Sequence, residues 1–173
     1  MRSIWLFIMT VFIFGCSTVV VPSVETDRND QFDFSSLRTF RFVAEQGTSS
    51  VEAKYLPRVQ QTLRTSLEEK GYVYTTSAAD FSVLTRINVE NKVITIEDTA
   101  HLRRSLRAAD GAPMSVRLRE GALLISMTND DSPAAIFTGT AKTQVNEASS
   151  PEKTDKLIDQ AVRLILEDFP RAQ

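Results

Sequence analysis

The 173-residue chain holds one cysteine, one histidine and one tryptophan, with only six glycines and six prolines. One cysteine excludes an internal disulfide, and one histidine leaves too few imidazoles for most metal centres or nucleophile–base pairs. His101 sits in an irregular stretch with no Gly-x-Ser-x-Gly turn near it. There is no cysteine pair, no His-Glu-x-x-His and no phosphate-cradling glycine loop. Neither sign of charge dominates, the formal net charge being −2. Without a dispersed basic stripe, nucleic acid is not an expected partner. At about 150 residues per domain, the length allows one domain plus short trimmings and excludes a multidomain enzyme.

What the chain does have begins at its N-terminus. Arg2 precedes Ile4 to Phe14, eleven residues of which only Thr10 is polar, and Gly15-Cys16 closes the run. At 1.5 Å per residue this stretch reaches roughly 16 Å, about half the hydrocarbon core of a bilayer. The layout is that of a signal peptide over residues 1–15. Ile13-Phe14-Gly15-Cys16 resembles the bacterial lipobox, which implies diacylglycerol on the Cys16 thiol and an N-acyl chain on its new amine. Several chains on one residue satisfy the requirement for stable anchoring, at about 0.8 kcal/mol per buried methylene. Ser17 resembles the sorting pattern of lipoproteins sent to the periplasmic face of the outer membrane. The alternative is an uncleaved inner-membrane anchor facing the periplasm, because Ile4 to Val21 carries no charge. Residues 16–23 then form a lipidated cysteine and short tether, and 24–170 a single domain.

Within that domain Thr39 to Val43 alternates as a strand after a turn at Asp33-Phe34-Ser35-Ser36. A helix is expected from about Glu52 or Leu56 to Lys70, with Ser49-Ser50-Val51-Glu52 offering a capping box and Pro57 tolerable only within its opening turn. Its stripe is Leu56, Val59, Leu63 and Leu67, opposite Arg58, Gln61, Arg64 and Glu68, and Gly71 ends it. Tyr72-Val73-Tyr74 and the alternating Phe81 to Val89 read as strands. Ile94 and Ile96 break that parity, so a bulge or a separate strand is expected after Asn91-Lys92. Residues 98–119 are the least regular. Leu123, Ile125 and Met127 alternate as a strand, and Ala135 to Val145 is its hairpin partner across a turn at Asn129 to Pro133. Ser150-Pro151 opens a last helix with the stripe Leu157, Ile158, Ala161, Val162, Ile165 and Phe169. These elements predict an α+β fold, two amphipathic helices packed on one face of a mainly antiparallel sheet of about five or six strands.

Candidate sites are few. Asp27, Asn29 and Gln31 mimic the opening of a calcium loop, but Phe32 and Arg38 stand where its glycine and bidentate carboxylate belong. Asp130-Asp131 are more simply hairpin residues. The most suggestive feature is Arg103, Arg104, Arg107, Arg117 and Arg119, among which Asp110 is the one acid. Arginine's planar fork suits phosphate and carboxylate groups, which makes this segment a candidate for docking an envelope protein or an anionic envelope polymer.

Several local patterns resemble the uncharacterised bacterial lipoprotein family known as domain of unknown function 4136 (DUF4136). They are the lipobox Cys16, Asp33-Phe34-Ser35 with Arg38-Thr39-Phe40, Leu67-Glu68-Glu69-Lys70-Gly71-Tyr72, and Ala79-Asp80-Phe81-Ser82-Val83. Leu123 to Met127 with Asp130, then Ile136 to Ala141, and Phe169-Pro170 at the end continue the match. The resemblance implies an envelope compartment and this architecture, with no assigned activity and no cofactor beyond the lipid on Cys16. The expectation is therefore a non-enzymatic, lipid-anchored periplasmic domain that binds or scaffolds an envelope component. A hydrolase or carbohydrate-active enzyme built on two carboxylates is the rival.

Overall fold

Ser49 opens the first helix by accepting a hydrogen bond from the Glu52 N–H at 3.1 Å, which satisfies one of the donors that a helix start leaves free. Helix α1 then runs Ser50–Glu69, starting earlier than the sequence pattern suggests, so that Pro57 lies beyond its opening turn. The carbonyl that loses its donor there belongs to Ala53, which is on the exposed side. Val59, Leu63 and Leu67 are buried, while Leu56 is only half-buried. Gly71, at φ 96°, turns the chain out of the helix in a conformation that strains any side chain. Helix α2 spans Pro151–Leu166, capped by the Ser150 hydroxyl and started by Pro151 as its pattern predicts. Phe169 lies past its end and still belongs to the core.

The computed structural model describes residues 21–43, 49–96, 114–129, 134–145 and 150–173, without the side chains of 92–96 and 114–118. Six strands form one sheet: β1 Ser23–Arg28, β2 Thr39–Phe42, β3 Val73–Tyr74, β4 Phe81–Ile96, β5 Met114–Asn129 and β6 Ala135–Gln144, in the order β1-β6-β5-β4-β2-β3. Asp33 caps a single 3-10 turn at Phe34–Ser36. The fold is α+β, with two helices, but the sheet is mixed rather than mainly antiparallel. β1, β6, β5 and β4 pair antiparallel, whereas β2 runs parallel to both β3 and β4. The reason is α1 itself, which carries the chain from the end of β2 back to the start of β3, and a helical crossover of this kind joins parallel neighbours.

The start of β2 is fixed by a carboxylate. Asp80 Oδ2 accepts from the Arg38 N–H at 2.8 Å, the Thr39 N–H at 2.7 Å and the Thr39 hydroxyl at 2.9 Å. Burial pushes the Asp80 carboxyl up, but these donors, with the Arg38 charge, outweigh it and hold the group below its ordinary value.

Two expectations about the long hairpin are corrected. β4 runs without interruption to Ile96, in unbroken register with β5, so there is no bulge and no separate strand after Asn91-Lys92. Residues 114–119 are not irregular but the first part of β5. From Lys92↔Leu118 to Ile96↔Met114 the two strands pair only with each other among the described residues. The alternation that the core imposes on Phe81 to Ile87 therefore has nothing to enforce it there.

Register brings the core side chains to one side of the sheet. Phe40 faces Phe81, Val83 faces Met127, and Leu123, Ile125 and Met127 lie opposite Ala141, Gly139 and Phe137. These residues form a single hydrophobic cluster with Val59, Leu63 and Leu67 of α1 and Val162 and Ile165 of α2. Around Phe169 the rings of Phe34, Tyr72, Phe81 and Phe137 stand at centroid distances of 5.8, 5.5, 5.7 and 5.2 Å. Aromatic packing thus closes the C-terminal end of the helix pair.

Candidate functional site

The two helices run in the same direction. Near their middles Arg58 Nη2 donates to both oxygens of Asp159, at 2.8 and 2.6 Å, and the Thr62 hydroxyl donates to Asp159 Oδ1 at 2.8 Å. At their far ends Lys70 Nζ donates to the Phe169 carbonyl at 2.7 Å. Both N-termini therefore sit at one end of the domain. Each helix brings a partial positive charge there, equivalent to roughly half an elementary charge.

Between those N-terminal halves and strands β4, β5 and β6 lies a cavity of about 630 Å³. Its walls are mostly aliphatic, with Val51 and Val59 from α1, Leu157 and Ile158 from α2, and Ile87 and Leu123 from the sheet. Gly121 also lines it, and an ideal Cβ there would stand 2.9 Å from Val145 Cγ1. The polar lining is Lys54, Arg58, Arg119, Thr143, Thr154 and Asp155, with Ser50 and Tyr55. Three of these are cations and one, Asp155, is a carboxylate. Two polar atoms of the wall, Arg58 Nε and Thr143 Oγ1, are buried with no hydrogen-bond partner among the described residues. An unsatisfied buried donor costs about 1–3 kcal/mol, so such atoms call for an explanation. Pro22, buried at the start of the described chain, also lines the cavity.

The sequence-based candidates are only partly brought together here. Arg119, half-buried on β5 opposite Asn91, is part of the cavity wall. Arg117 is placed by its backbone alone, paired with Val93 of β4. Cys16, Arg103, Arg104, Arg107 and His101 lie outside the described residues, as do Asp110 and Asp130-Asp131. Asp27 lies in β1, and the turn that follows holds Asn29 and Gln31, with Asn29 Oδ1 accepting from the Gln31 N–H at 3.0 Å and Arg28, the last residue of β1, paired with Asp30 at 2.8 Å. Among the described residues no His, Cys, Asp and Glu group is arranged to hold a metal ion, and no helix is long and apolar enough to cross a membrane.

Sequence reasoning missed Lys54, Arg58, Thr143 and Asp155. Arg58 stands on the helical face opposite the apolar stripe and reads as solvated. Its distant partner Asp159, on a helix about a hundred residues along the chain, carries no local signal. The one available hint was that Ser49-Ser50 and Ser150-Pro151 each announce a helix start, without saying that the two starts meet.

A family profile described as Domain of unknown function (DUF4136) matches residues 24–171. No curated protein matches the chain significantly. Among solved structures, a PDZ domain protein from Parabacteroides distasonis is similar with a TM-score of 0.56 and 14% identity, over 90% of this chain and 36% of that one. The chain thus spans about a third of that relative's length. A PelC dodecamer from Paraburkholderia phytofirmans is similar over 88% of this chain and 100% of that one, with a TM-score of 0.51 and 10% identity. At such identities the likeness is one of fold alone.

Proposed function

The chain belongs to the DUF4136 family, and we propose that it is a lipid-anchored domain of the bacterial cell envelope that binds its ligand rather than converting it. The observation that carries this reading is the cavity of about 630 Å³ at the shared N-terminal end of the helices. Its volume falls in the range of roughly 300–1,000 Å³ usual for small-molecule sites, and its aliphatic walls with a few polar groups have the usual composition. A two-carboxylate hydrolase needs a pair of carboxyl groups about 5–9.5 Å apart across its cleft. Among the described residues Asp155 is the one carboxylate in the lining, which favours binding.

In this reading both helices lie on the sheet face that carries Gly139 and Phe137. The opposite face carries Arg41, Ser82, Arg86, Ser126 and Thr140 together with Leu84 and Leu124. Cys16 carries the lipid, and the domain stands at the periplasmic face of the outer membrane, an inner-membrane signal anchor being the alternative. Arg103, Arg104, Arg107 and Arg117 remain candidates for an anionic envelope partner. Reversing the first three to Glu should then weaken capture, and capture by the wild type should fall as salt rises.

The anchoring test is Cys16→Ser. The variant is expected to lose fatty-acid labelling and to stay uncleaved. Labelling that persists in the variant would remove Cys16 as the anchor. Crosslinking and affinity capture of the lipidated protein from envelopes would then identify what the domain binds.

A further inference from the structure

We infer that the part of the β4–β5 hairpin that projects beyond the sheet, residues 92–96 with 114–118, lies with one apolar face against the lipid surface that anchors the protein. The inference rests on the lipid-anchored reading above for the place of the membrane, and on the register of the hairpin for the face that meets it.

Both strands change their pattern at the same level. Residues opposite each other in β4 and β5 have numbers of the same parity, and the register is unbroken from Phe81↔Asn129 to Ile96↔Met114. Successive residues of a strand alternate between faces, so the odd positions share one face and the even positions the other. In the body of the sheet the core positions are odd: Phe81, Val83, Leu123, Ile125 and Met127. Beyond Glu90↔Glu120 the apolar residues are mostly even: Ile94, Ile96, Met114, Val116 and Leu118. The odd positions there hold Asn91, Thr95, Ser115, Arg117 and Arg119, with Val93 the one apolar residue among them. A slip in one strand alone would put its apolar residues out of step with the other, whereas Ile94 stands opposite Val116 and Ile96 opposite Met114. The projecting part therefore has an apolar face of its own, on the side of the sheet away from the core.

With both helices on the odd face, as proposed above, neither covers the even one. The tether indicates what does. β1 is antiparallel to β6, β6 to β5 and β5 to β4, so the chain enters β1 from the side towards which β4 runs. Through Lys142 and Ala122, Ser23 stands level with Asn88. Cys16 is seven residues before Ser23, and Ile96 is eight residues after Asn88. At about 3.4 Å per residue, a fully extended tether ends about 24 Å beyond that level, and the hairpin reaches about 27 Å. A lipid on Cys16 thus holds the membrane no farther out than the end of the described hairpin.

Depth is limited by polar groups. The apolar stretch stops at Glu90 and Glu120, which stand directly opposite each other, Glu90 being exposed and bonded to the Asn88 side-chain amide at 2.7 Å. Among the described residues the outer edges of 92–96 and 114–118 have no ladder partner. Backbone groups left open in this way exclude the strands from the hydrocarbon core. The hairpin therefore lies along the interface, even face towards the acyl chains and odd face towards water, as an interfacial amphipathic helix does.

Cys16 is the one cysteine of the chain, so with lipid on it an introduced cysteine is the single free thiol. The test places nitrobenzoxadiazole on Ile94→Cys or Val116→Cys, on the even face, and on Thr95→Cys or Ser115→Cys, on the odd face. The lipidated variants are reconstituted in phosphatidylcholine vesicles whose lipids carry a nitroxide near the top of the acyl chain. Quenching at Ile94 and Val116 is expected to be at least threefold that at Thr95 and Ser115. It should persist in molar salt, because the contact is apolar and the lipid has no net charge. Ile94→Glu with Val116→Glu, read from a label on Ile96→Cys, should remove it. If that variant is unfolded by circular dichroism, the comparison of the two faces alone decides.

Three results would overturn the inference: equal quenching of the two faces, no quenching at Ile94 and Val116, or quenching that molar salt abolishes. Labels at Ile94 and Val116 shielded from both the nitroxide and aqueous iodide would also overturn it, since the cover would then be protein. That cover would be a second copy if the shielding falls on dilution, and another segment of this chain if it does not. Fatty-acid incorporation reads the anchor separately. Where Cys16 carries no lipid it is replaced by Ser before labelling, and quenching at Ile94 and Val116 would then refute the anchoring proposal while keeping the hairpin contact. Lipid on Cys16 without quenching would do the reverse.

Discussion

Gly139→Ala is a sharp test of how α2 meets the sheet. An ideal Cβ built on Gly139 would stand 2.2 Å from Ile165 Cγ2, with Ile165 Cβ at 3.3 Å and Cγ1 at 3.4 Å. Carbon atoms pack best at about 3.5–4.0 Å, so the nearest pair would overlap by more than an ångström. Ile165 is fully buried and β-branched, which leaves its Cγ2 little freedom to swing away. Either α2 lifts or β6 bends, and overpacking of this kind costs about 1–3 kcal/mol. Loss of glycine's freedom in the unfolded chain returns about 0.4–1 kcal/mol at most. A net loss of about 1–2 kcal/mol follows, or roughly 2–4 °C in Tm for each kcal/mol in a domain of this size. Urea unfolding followed by circular dichroism measures it. The same clash predicts coupling. Ile165→Ala alone should cost about 2–5 kcal/mol, and the double variant should cost less than the two singles added, by about 1 kcal/mol or more. A neutral or stabilised Gly139→Ala, or strict additivity, would refute the close approach of α2 to β6.

Two further variants probe titrating groups. Asp80→Ala should lose about 1–3 kcal/mol, because the Arg38 and Thr39 N–H groups lose their acceptor. Since the folded Asp80 is held below its ordinary value, its contribution is present above the unfolded pKa of about 3.9 and disappears as pH falls through the folded one. Acid unfolding curves of the variant should lack that component. Burial pushes the Tyr72 phenol up to about 12, the opposite sense to Asp80. The neutral phenol is favoured in the folded state, so stability holds below pH 10 and declines as pH rises from about 10 to 12. Tyr72→Phe should flatten that alkaline decline, and an unchanged slope would exclude Tyr72 as its source.

The elements whose sequence signal is local were legible. Ser150-Pro151 and the apolar stripe placed α2, and Phe81 to Val89 placed the core part of β4. Parallel pairing of β2 was not foreseen, although a strand, a helix and a strand in succession is the pattern that gives it. The one-residue alternation in Thr39 to Phe42 says which side chains are buried, not which way the neighbouring strand runs. Pro57 misleads in another way: the rule that keeps proline in an opening turn pulls the expected start towards Leu56, whereas the helix begins at the capping box that Ser49 and Glu52 offer and carries Pro57 in its interior. The cavity was illegible for a physical reason. It exists only because two helix starts about a hundred residues apart meet over the end of a sheet, and no periodicity within either helix encodes that meeting.

The domain separates the residues that hold it together from those that would hold a ligand. Phe40, Tyr72, Phe81, Phe137 and Phe169 are all at most 2% exposed, and the rings around Phe169 tie α1, α2 and the sheet together at one end. Side chains of this size remove about 150–250 Å² each from water, so truncating one costs about 3–5 kcal/mol. At the other end the lining residues Val51, Tyr55, Leu157 and Ile158 are only half-buried, and Lys54 is exposed. Substitutions of surface residues away from caps and networks usually stay within about 0.5 kcal/mol. Arg58 is the exception at this end, because its bond to Asp159 joins the helices. Removing the guanidinium would leave a half-buried carboxylate with the Thr62 hydroxyl but without its counter-charge, so Arg58 variants confound stability with binding. Lys54 and Asp155 do not share that role, and Lys54→Glu should leave Tm within about 2 °C of the wild type. An effect of that variant on ligand binding, at unchanged Tm, then belongs to the cavity and not to the fold.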